Sequence, residues 1–120
     1  MRKPYEFSFE QIVARANDVI LVTQARPIDG AGPEIVYVNE AFTRLTGYAP
    51  EEVLGKTPRI LQGPQTDPDA RQCIREALAR GQPVRIEILN YSKTGEEYWL
   101  DLNIVPLRND AGEITHFAAI

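Results

Sequence analysis

The alternation of apolar and polar residues in the last third of the chain is the feature that most restricts its fold. Three segments there, PVRIEILNY, EEYWLDLNIVP and EITHFAAI, alternate with a period of two, which is the period of side chains along a β-strand. They are separated by turn residues of hairpin length, Lys93-Thr94-Gly95 and Asn109-Asp110-Ala111-Gly112. The sequence therefore predicts three successive antiparallel strands.

Two further strands, VILVT and EIVYV, are predicted earlier in the chain, joined by the loop QARPIDGAGP. Between them and the last three strands lies a helical stretch, with start signals at Asn39, Pro50 and Thr57-Pro58 and a longer helix predicted from Pro68 to Arg80. This order predicts an α+β fold, with one five-stranded antiparallel sheet and short helices packed on one face. The order of the strands does not follow from the pattern.

The N-terminal segment FSFEQIVARAN predicts a short amphipathic helix, because Ser8 and Gln11 have the spacing of a capping box and Phe9, Ile12 and Val13 share a face. We therefore divide the chain into a cap helix over residues 1–18 and a main domain over residues 19–120. A chain of 120 residues with 43% apolar content is sufficient for one core.

Composition argues against several classes of function. A net charge of -4 offers no patch for nucleic acid, and no apolar run approaches the roughly 20 residues of a membrane span, so we expect a cytoplasmic protein that contacts neither. One cysteine, Cys73, and one histidine, His116, do not make a disulfide or a metal centre. Cys73 lies on the apolar stripe of the long helix, so we expect it to be buried. No nucleophile is paired with a base, so we do not expect an enzyme.

Alternation also assigns side chains to the two sheet faces. Asn90 ends an apolar row formed with Ile86 and Ile88, and a buried amide without a partner costs about 1–3 kcal/mol. Asn90 therefore needs a hydrogen-bonding partner from the protein or from a ligand. The other residues predicted to face inward are Val84, Tyr98, Leu100, Leu102, Ile104, Phe117 and Ala119.

The opposite side of the sheet, which we call the outer sheet face, carries Trp99, Val105, Ala118 and Ile120. An apolar face of this kind usually meets a partner, and the N-terminal helix is the only predicted element available to cover it. A self-complementary face closes most readily as a two-fold dimer. We therefore expect a homodimer through the outer sheet face and the N-terminal helix.

Arginines in the helical stretch are candidates for binding an anion. Arg59 lies three residues before Gln62, so the two side chains can face one cavity, and Arg75 lies on the long helix one turn after Arg71. Two guanidinium groups at a cavity mouth suit a terminal phosphate, because each offers planar, charged donors. The alternative is that these arginines pair with carboxylates at the surface, as surface arginines usually do.

The chain resembles the PAS superfamily and, within it, the light-oxygen-voltage (LOV) domains that bind FMN. The resemblance runs from about Val19 to Ile120 and is carried by NEAFTRLTGY, EEVLG, RILQGPQTD, EILNYSKTGEEYW and PLRNDAGEITHF. It implies the PAS fold and an FMN site. Arg59 and Arg75 would contact the phosphate, Gln62 the ribityl chain and Asn90 the pyrimidine edge of the ring. The remaining positions of this implied site are Thr57, Leu100, Leu102 and Phe117.

The chain departs from the LOV pattern at positions that carry its photochemistry. Pro58 stands where the family has its reactive cysteine, Thr57 and Leu100 stand where it has asparagines, and its glutamine near flavin N5 would fall just beyond Ile120. The resemblance thus implies a sensory module for signal transduction that binds FMN noncovalently and senses light or redox state without a cysteinyl adduct. The alternative is a dimerisation and relay module whose pocket is empty or holds another small molecule. Either would act on a fused or partner output domain.

Overall fold

The computed structural model describes residues 11–13 and 16–120. Within the predicted cap helix, residues 11–13 are helical, and residues 1–10, 14 and 15 lie outside the described part of the chain. No helix in the described ranges has the length and apolar character needed to cross a membrane.

Five strands form one antiparallel sheet, as predicted, and their order is β2-β1-β5-β4-β3. The strands are β1 (Leu21–Gln24), β2 (Ile35–Val38), β3 (Val84–Tyr91), β4 (Glu97–Arg108) and β5 (Ile114–Ala119). The last strand is inserted between the first and the fourth, where Leu21 pairs with Ala119 and Ile104 pairs with the same residue from the other side. The α+β class and the five-stranded antiparallel sheet are therefore confirmed.

The helical stretch contains α1 (Glu40–Thr46), α2 (Pro50–Val53), a 3₁₀ turn (Pro58–Leu61) and α3 (Pro68–Ala79). The predicted start signals are the observed ones: Asn39 caps α1, Pro50 opens α2, and Asp67 caps α3 by accepting a hydrogen bond from the Asp69 N–H at 2.9 Å. Gly47 ends α1 with φ at 79°, a left-handed conformation that glycine adopts without steric cost.

Asn39 connects three segments of the chain. Its Oδ1 accepts hydrogen bonds from the N–H groups of Ile20 (3.0 Å) and Phe42 (3.1 Å), and its Nδ2 donates to the carbonyls of Val13 (3.2 Å) and Asp18 (2.8 Å). Asn39 is only 2% exposed, and its bond to the Phe42 N–H is buried while the other three are partly buried. The segment before β1 is therefore held to the start of α1.

The main core lies where the first two strands meet the helices. Phe42 of α1, Val53 of α2 and Leu61 of the 3₁₀ turn pack in one buried cluster with Leu21, Ile35 and Val38 of β1 and β2. The other three strands instead face a cavity, which is described below.

The prediction that Cys73 is buried is wrong, because the residue is exposed on α3. Ala70 is the buried residue of this helix, while Ile74 and Leu78 are partly buried and line the cavity. Cys73 precedes Ile74 by one residue, which turns it about 100° away from the contacting stripe at 3.6 residues per turn. The helix borders a cavity instead of packing on the sheet with a broad face, so only a narrow stripe is covered.

Candidate functional site

A cavity of about 840 Å³ lies between the sheet and the helical elements. This volume is within the range of about 300–1,000 Å³ that small-molecule sites usually have. The sheet side is formed by the inward-facing rows that alternation predicted, including Ile88, Leu100, Leu102, Ile104, Phe117 and Ala119. The helical side includes Phe42, Leu61, Ile74 and Leu78, so most of the wall is apolar.

Seven of the eight residues predicted to form the binding site line this one cavity. They come from five elements: Arg59 and Gln62 from the 3₁₀ turn and its C-cap, Arg75 from α3, Asn90 from β3, Leu100 and Leu102 from β4, and Phe117 from β5. Thr57 differs from the others because it is outside the lining. It precedes the turn as its N-cap residue, and its side chain makes no hydrogen bond to the turn.

Pro58 also lines the cavity. It occupies the first position of the 3₁₀ turn, as predicted from Thr57-Pro58, where its fixed φ is suitable and a missing N–H leaves no gap in the hydrogen bonding. The residue at this position therefore faces the cavity but offers no titratable or nucleophilic atom.

The loop that follows the 3₁₀ turn is fixed against β3 by hydrogen bonds. The Thr66 hydroxyl donates to the Leu89 carbonyl at 2.8 Å and accepts from the Gly63 N–H at 3.0 Å. The Tyr91 hydroxyl accepts from the Gln65 N–H at 2.8 Å. A Cβ atom at Gly63 would clash with the Tyr91 ring, so only glycine lets the loop approach this closely. These contacts position Arg59 and Gln62, which immediately precede the loop.

The arginines around the cavity differ in whether they have a carboxylate partner. Arg59 and Arg71 have no ion-pair partner among the described residues, and Arg75 lies 3.8 Å from the fully exposed carboxylate of Asp29. Arg85 also borders the cavity but makes two hydrogen bonds to Asp101, at 3.1 and 2.6 Å. Pairing with a surface carboxylate, the alternative role for these arginines, therefore applies fully to Arg85 and only weakly to Arg75. The Arg59 guanidinium group remains available to bind an anion.

Two polar atoms in the cavity wall have no partner. Among the described residues, the buried side-chain atoms that lack a hydrogen bond are Asn90 Oδ1 and the Tyr98 hydroxyl oxygen. The residues are paired directly across β3 and β4, and both face the cavity. Burial raises the pKa of the Tyr98 phenol to about 12, with a further contribution from Tyr48. The phenol therefore stays protonated, and able to donate, at all pH values well below 12.

Alternation had placed Tyr98 on the inward face, but nothing in the sequence marked it as a binding residue. The signal that identifies it is the unsatisfied hydroxyl, which depends on what surrounds the residue after folding. These residues fit a flavin. The cavity has a suitable volume, guanidinium groups border it, and two polar atoms on its sheet side have no hydrogen-bond partner among the described residues.

Comparison with known proteins agrees with this fold. The family model for the PAS domain matches residues 17–120. A blue-light-activated histidine kinase of Brucella anthropi is 45% identical over 100 residues, which is 83% of this chain and 20% of the kinase. The chain thus spans about a fifth of the length of that relative.

Solved structures give the same result. An RNA-binding light-oxygen-voltage receptor superposes with a TM-score of 0.83 at 38% identity, over 92% of this chain and 30% of the receptor. A light-oxygen-voltage domain studied with a flavin analogue superposes with a TM-score of 0.81 at 35% identity, over 95% of this chain and 82% of that domain. This chain belongs to the PAS domain family, and light-oxygen-voltage domains are among its structural relatives.

Proposed function

We propose that this chain is a sensory PAS module that binds FMN noncovalently and responds to light or redox state. The observation that carries the proposal is the pair of unsatisfied polar atoms, Asn90 Oδ1 and the Tyr98 hydroxyl, in the wall of a cavity that Arg59 and Arg75 also line. The kinase relative is blue-light-activated and the structural relatives are light-oxygen-voltage proteins, which supports a light-sensing role. A bound flavin would supply absorption of blue light and reversible reduction.

The residues of this chain would bind and orient that ligand. The unpaired guanidinium group of Arg59 and the weakly paired one of Arg75 suit a phosphate, and Gln62 follows on the same turn. Leu100, Leu102 and Phe117 provide apolar contact for a ring system. Because Pro58 has no thiol, no sulfur from this position can add to the ring. Binding, and not catalysis, is the role that we propose for the chain.

The alternative is a relay module with an empty pocket or a different small molecule. Leu100 favours it, because this side chain faces the cavity at a position where light-oxygen-voltage domains have an amide. A titration decides between the two. The purified protein is mixed with FMN, and binding is measured by equilibrium dialysis together with the visible absorption spectrum.

We expect one FMN per chain and a blue absorption band that gains vibrational structure, because the ring would lie in an ordered, largely apolar site. Absence of binding at several hundred micromolar FMN would favour the relay module. The same titration with riboflavin shows whether the phosphate contributes to the affinity.

The signal from such a module needs an output domain. Since the chain corresponds to about a fifth of its kinase relative, we propose that it is the sensory part of a larger signalling assembly, fused to or bound by an output domain such as a histidine kinase.

We further propose that the module forms a homodimer through the outer sheet face and the N-terminal helix. Trp99 is 67% exposed and Leu107 is 39% exposed on this face, whereas Ile120, which we expected there, follows the end of β5 and is among the residues that line the cavity. Ala118, which we expected to project as part of the contact, is only 6% exposed. The apolar surface available to a partner is therefore centred on Trp99 and Leu107.

Replacing Trp99 with glutamate should convert the dimer into a monomer, because a charge would be buried at the centre of an interface of roughly 800 Å² per partner. Light scattering at high micromolar concentration measures the mass, and circular dichroism checks the fold. Leu54→Glu is the matched control, since Leu54 is exposed at the end of α2, away from the outer sheet face. A monomeric wild-type protein, or a Trp99→Glu variant that still dimerises, would contradict the proposal.

A further inference from the structure

Tyr98 and Asn90 form a matched pair on the sheet wall of the cavity. They are directly opposite each other in the antiparallel pairing of β3 and β4, both side chains face inward, and each has a buried oxygen without a hydrogen bond. Cross-strand neighbours on one face are about 4.5–5.5 Å apart at their Cβ atoms. The two residues are therefore neighbours on the same part of the cavity wall.

This arrangement is unusual because buried polar groups almost always have a partner. A phenylalanine at position 98 would fill the same space without desolvating a hydroxyl, and no described side chain or backbone group reaches the Tyr98 oxygen. Tyr48 lies close enough to affect the ionisation of Tyr98 but makes no hydrogen bond with it. Since the described residues provide no partner, a bound ligand is the candidate for one.

The two groups have complementary chemistry. The phenol O–H donates, whereas Asn90 Oδ1 accepts, so their joint partner presents an acceptor beside a donor. A cyclic imide has this pattern, with a ring N–H next to a carbonyl, and the pyrimidine edge of a flavin is an imide. Leu100, two residues after Tyr98 on the same inward row of β4, offers no hydrogen bond.

We propose that the Tyr98 hydroxyl donates a hydrogen bond to a carbonyl on the imide edge of the ligand ring, beside Asn90, which the resemblance to light-oxygen-voltage domains already assigns to that edge. Tyr98 thereby supplies the polar contact that Leu100 cannot make, and the pair selects ligands with an imide edge. This inference rests on the proposed function, because the ligand considered is FMN.

The test is Tyr98→Phe, which removes the oxygen and keeps the ring. FMN should bind roughly five- to tenfold more weakly, because one neutral hydrogen bond is lost. The ligand-free protein should unfold at the same temperature or a few degrees higher, because no protein hydrogen bond is removed. Tyr37→Phe is the matched control: Tyr37 is on β2 and outside the cavity lining, so the FMN affinity should not change.

A spectroscopic readout identifies the bond itself. The infrared carbonyl bands of bound FMN should move to higher frequency in Tyr98→Phe and stay unchanged in Tyr37→Phe, because a carbonyl that loses a donor has a stiffer C=O bond. If the variant does not fold, wild-type protein with a ring label placed at Tyr98 alone, among its five tyrosines, provides a second measurement. A phenol C–O band that shifts on addition of FMN supports the proposal, and one that does not shift overturns it.

FMN binding by the wild-type protein and by the Tyr98→Phe variant distinguishes failure of this inference from failure of the proposed function. Wild-type protein that binds no FMN overturns both. Wild-type protein that binds FMN, with a Tyr98→Phe variant of equal affinity and unchanged carbonyl bands, overturns only the role of Tyr98. A ligand-free Tyr98→Phe protein that is destabilised while its FMN affinity is unchanged assigns the hydroxyl to structure and also overturns that role.

Discussion

Replacing Arg59 or Arg75 with alanine is expected to weaken FMN binding by roughly ten- to a hundredfold and riboflavin binding much less. Riboflavin lacks the phosphate, and a hydrogen bond to a charged group contributes about 1.5–3 kcal/mol. Among the residues that the structure describes, Arg59 has no carboxylate partner to give up, and Arg75 would leave only an exposed contact with Asp29, 3.8 Å away. Exposed pairs of this kind contribute little, so both guanidinium groups are free to bind an anion.

Isothermal titration of both ligands against each variant measures this difference. Arg44→Ala is the control, because Arg44 is exposed on α1, pairs with Glu40 at 3.9 Å and is outside the cavity lining. Its FMN affinity should match that of the wild-type protein. Equal losses for FMN and riboflavin in the Arg59 and Arg75 variants would instead assign these arginines to a structural role.

Replacing Pro58 with cysteine is expected to give FMN-loaded protein that loses its blue absorption band under illumination and recovers it in the dark. Position 58 lines the cavity at the start of the 3₁₀ turn, and the resemblance to light-oxygen-voltage domains implies that their reactive thiol falls at this position. Cysteine is tolerated there because the first position of a helical turn requires no backbone hydrogen bond. The S–H group would add across one double bond of the ring, with the sulfur and the proton both transferred to the ring, so no further reactant is needed and the lost conjugation would remove the visible band.

Cys73 carries the other thiol in this variant and is exposed, so the experiment is done in a Cys73→Ser protein, in which position 58 carries the single thiol. Pro58→Ser in the same background is the matched control, since it has a similar shape and no thiol, and its spectrum should not bleach in this way. FMN bound to the cysteine variant without light-dependent bleaching would show that the turn holds position 58 too far from the ring.

Much of the cavity wall could be predicted because strands have a fixed side-chain period of two. Asn90, Leu100 and Phe117 were assigned to the inward face from alternation, and all three line the cavity. The start signals of helices are equally local. Asn39 directly precedes α1, which predicts a capping residue, and its side chain accepts a hydrogen bond from the Phe42 N–H. Such features depend on residues a few positions apart, which the sequence displays directly.

Features that depend on distant residues could not be predicted in this way. The pairing of Leu21 with Ala119 joins the two ends of the main domain, and no local pattern specifies it. The exposure of Cys73 depends on how α3 packs across a cavity, which helical periodicity does not reveal. The importance of Tyr98 depends on the absence of a partner for its hydroxyl, and this is known only when its neighbours on other strands are in place.

The central position of β5 has a consequence for how the domain forms during synthesis. Ribosomes release the chain from its N-terminus, so β1 to β4 emerge before residues 114–119. Until then β1 and β4 each expose a row of unpaired backbone groups, because both pair with β5 in the finished sheet. The β1–β2 and β3–β4 hairpins can form early, but they stay separate until β5 pairs with both of them. Closure of the sheet, and with it of the cavity, is therefore a late step that waits for the last strand of the domain.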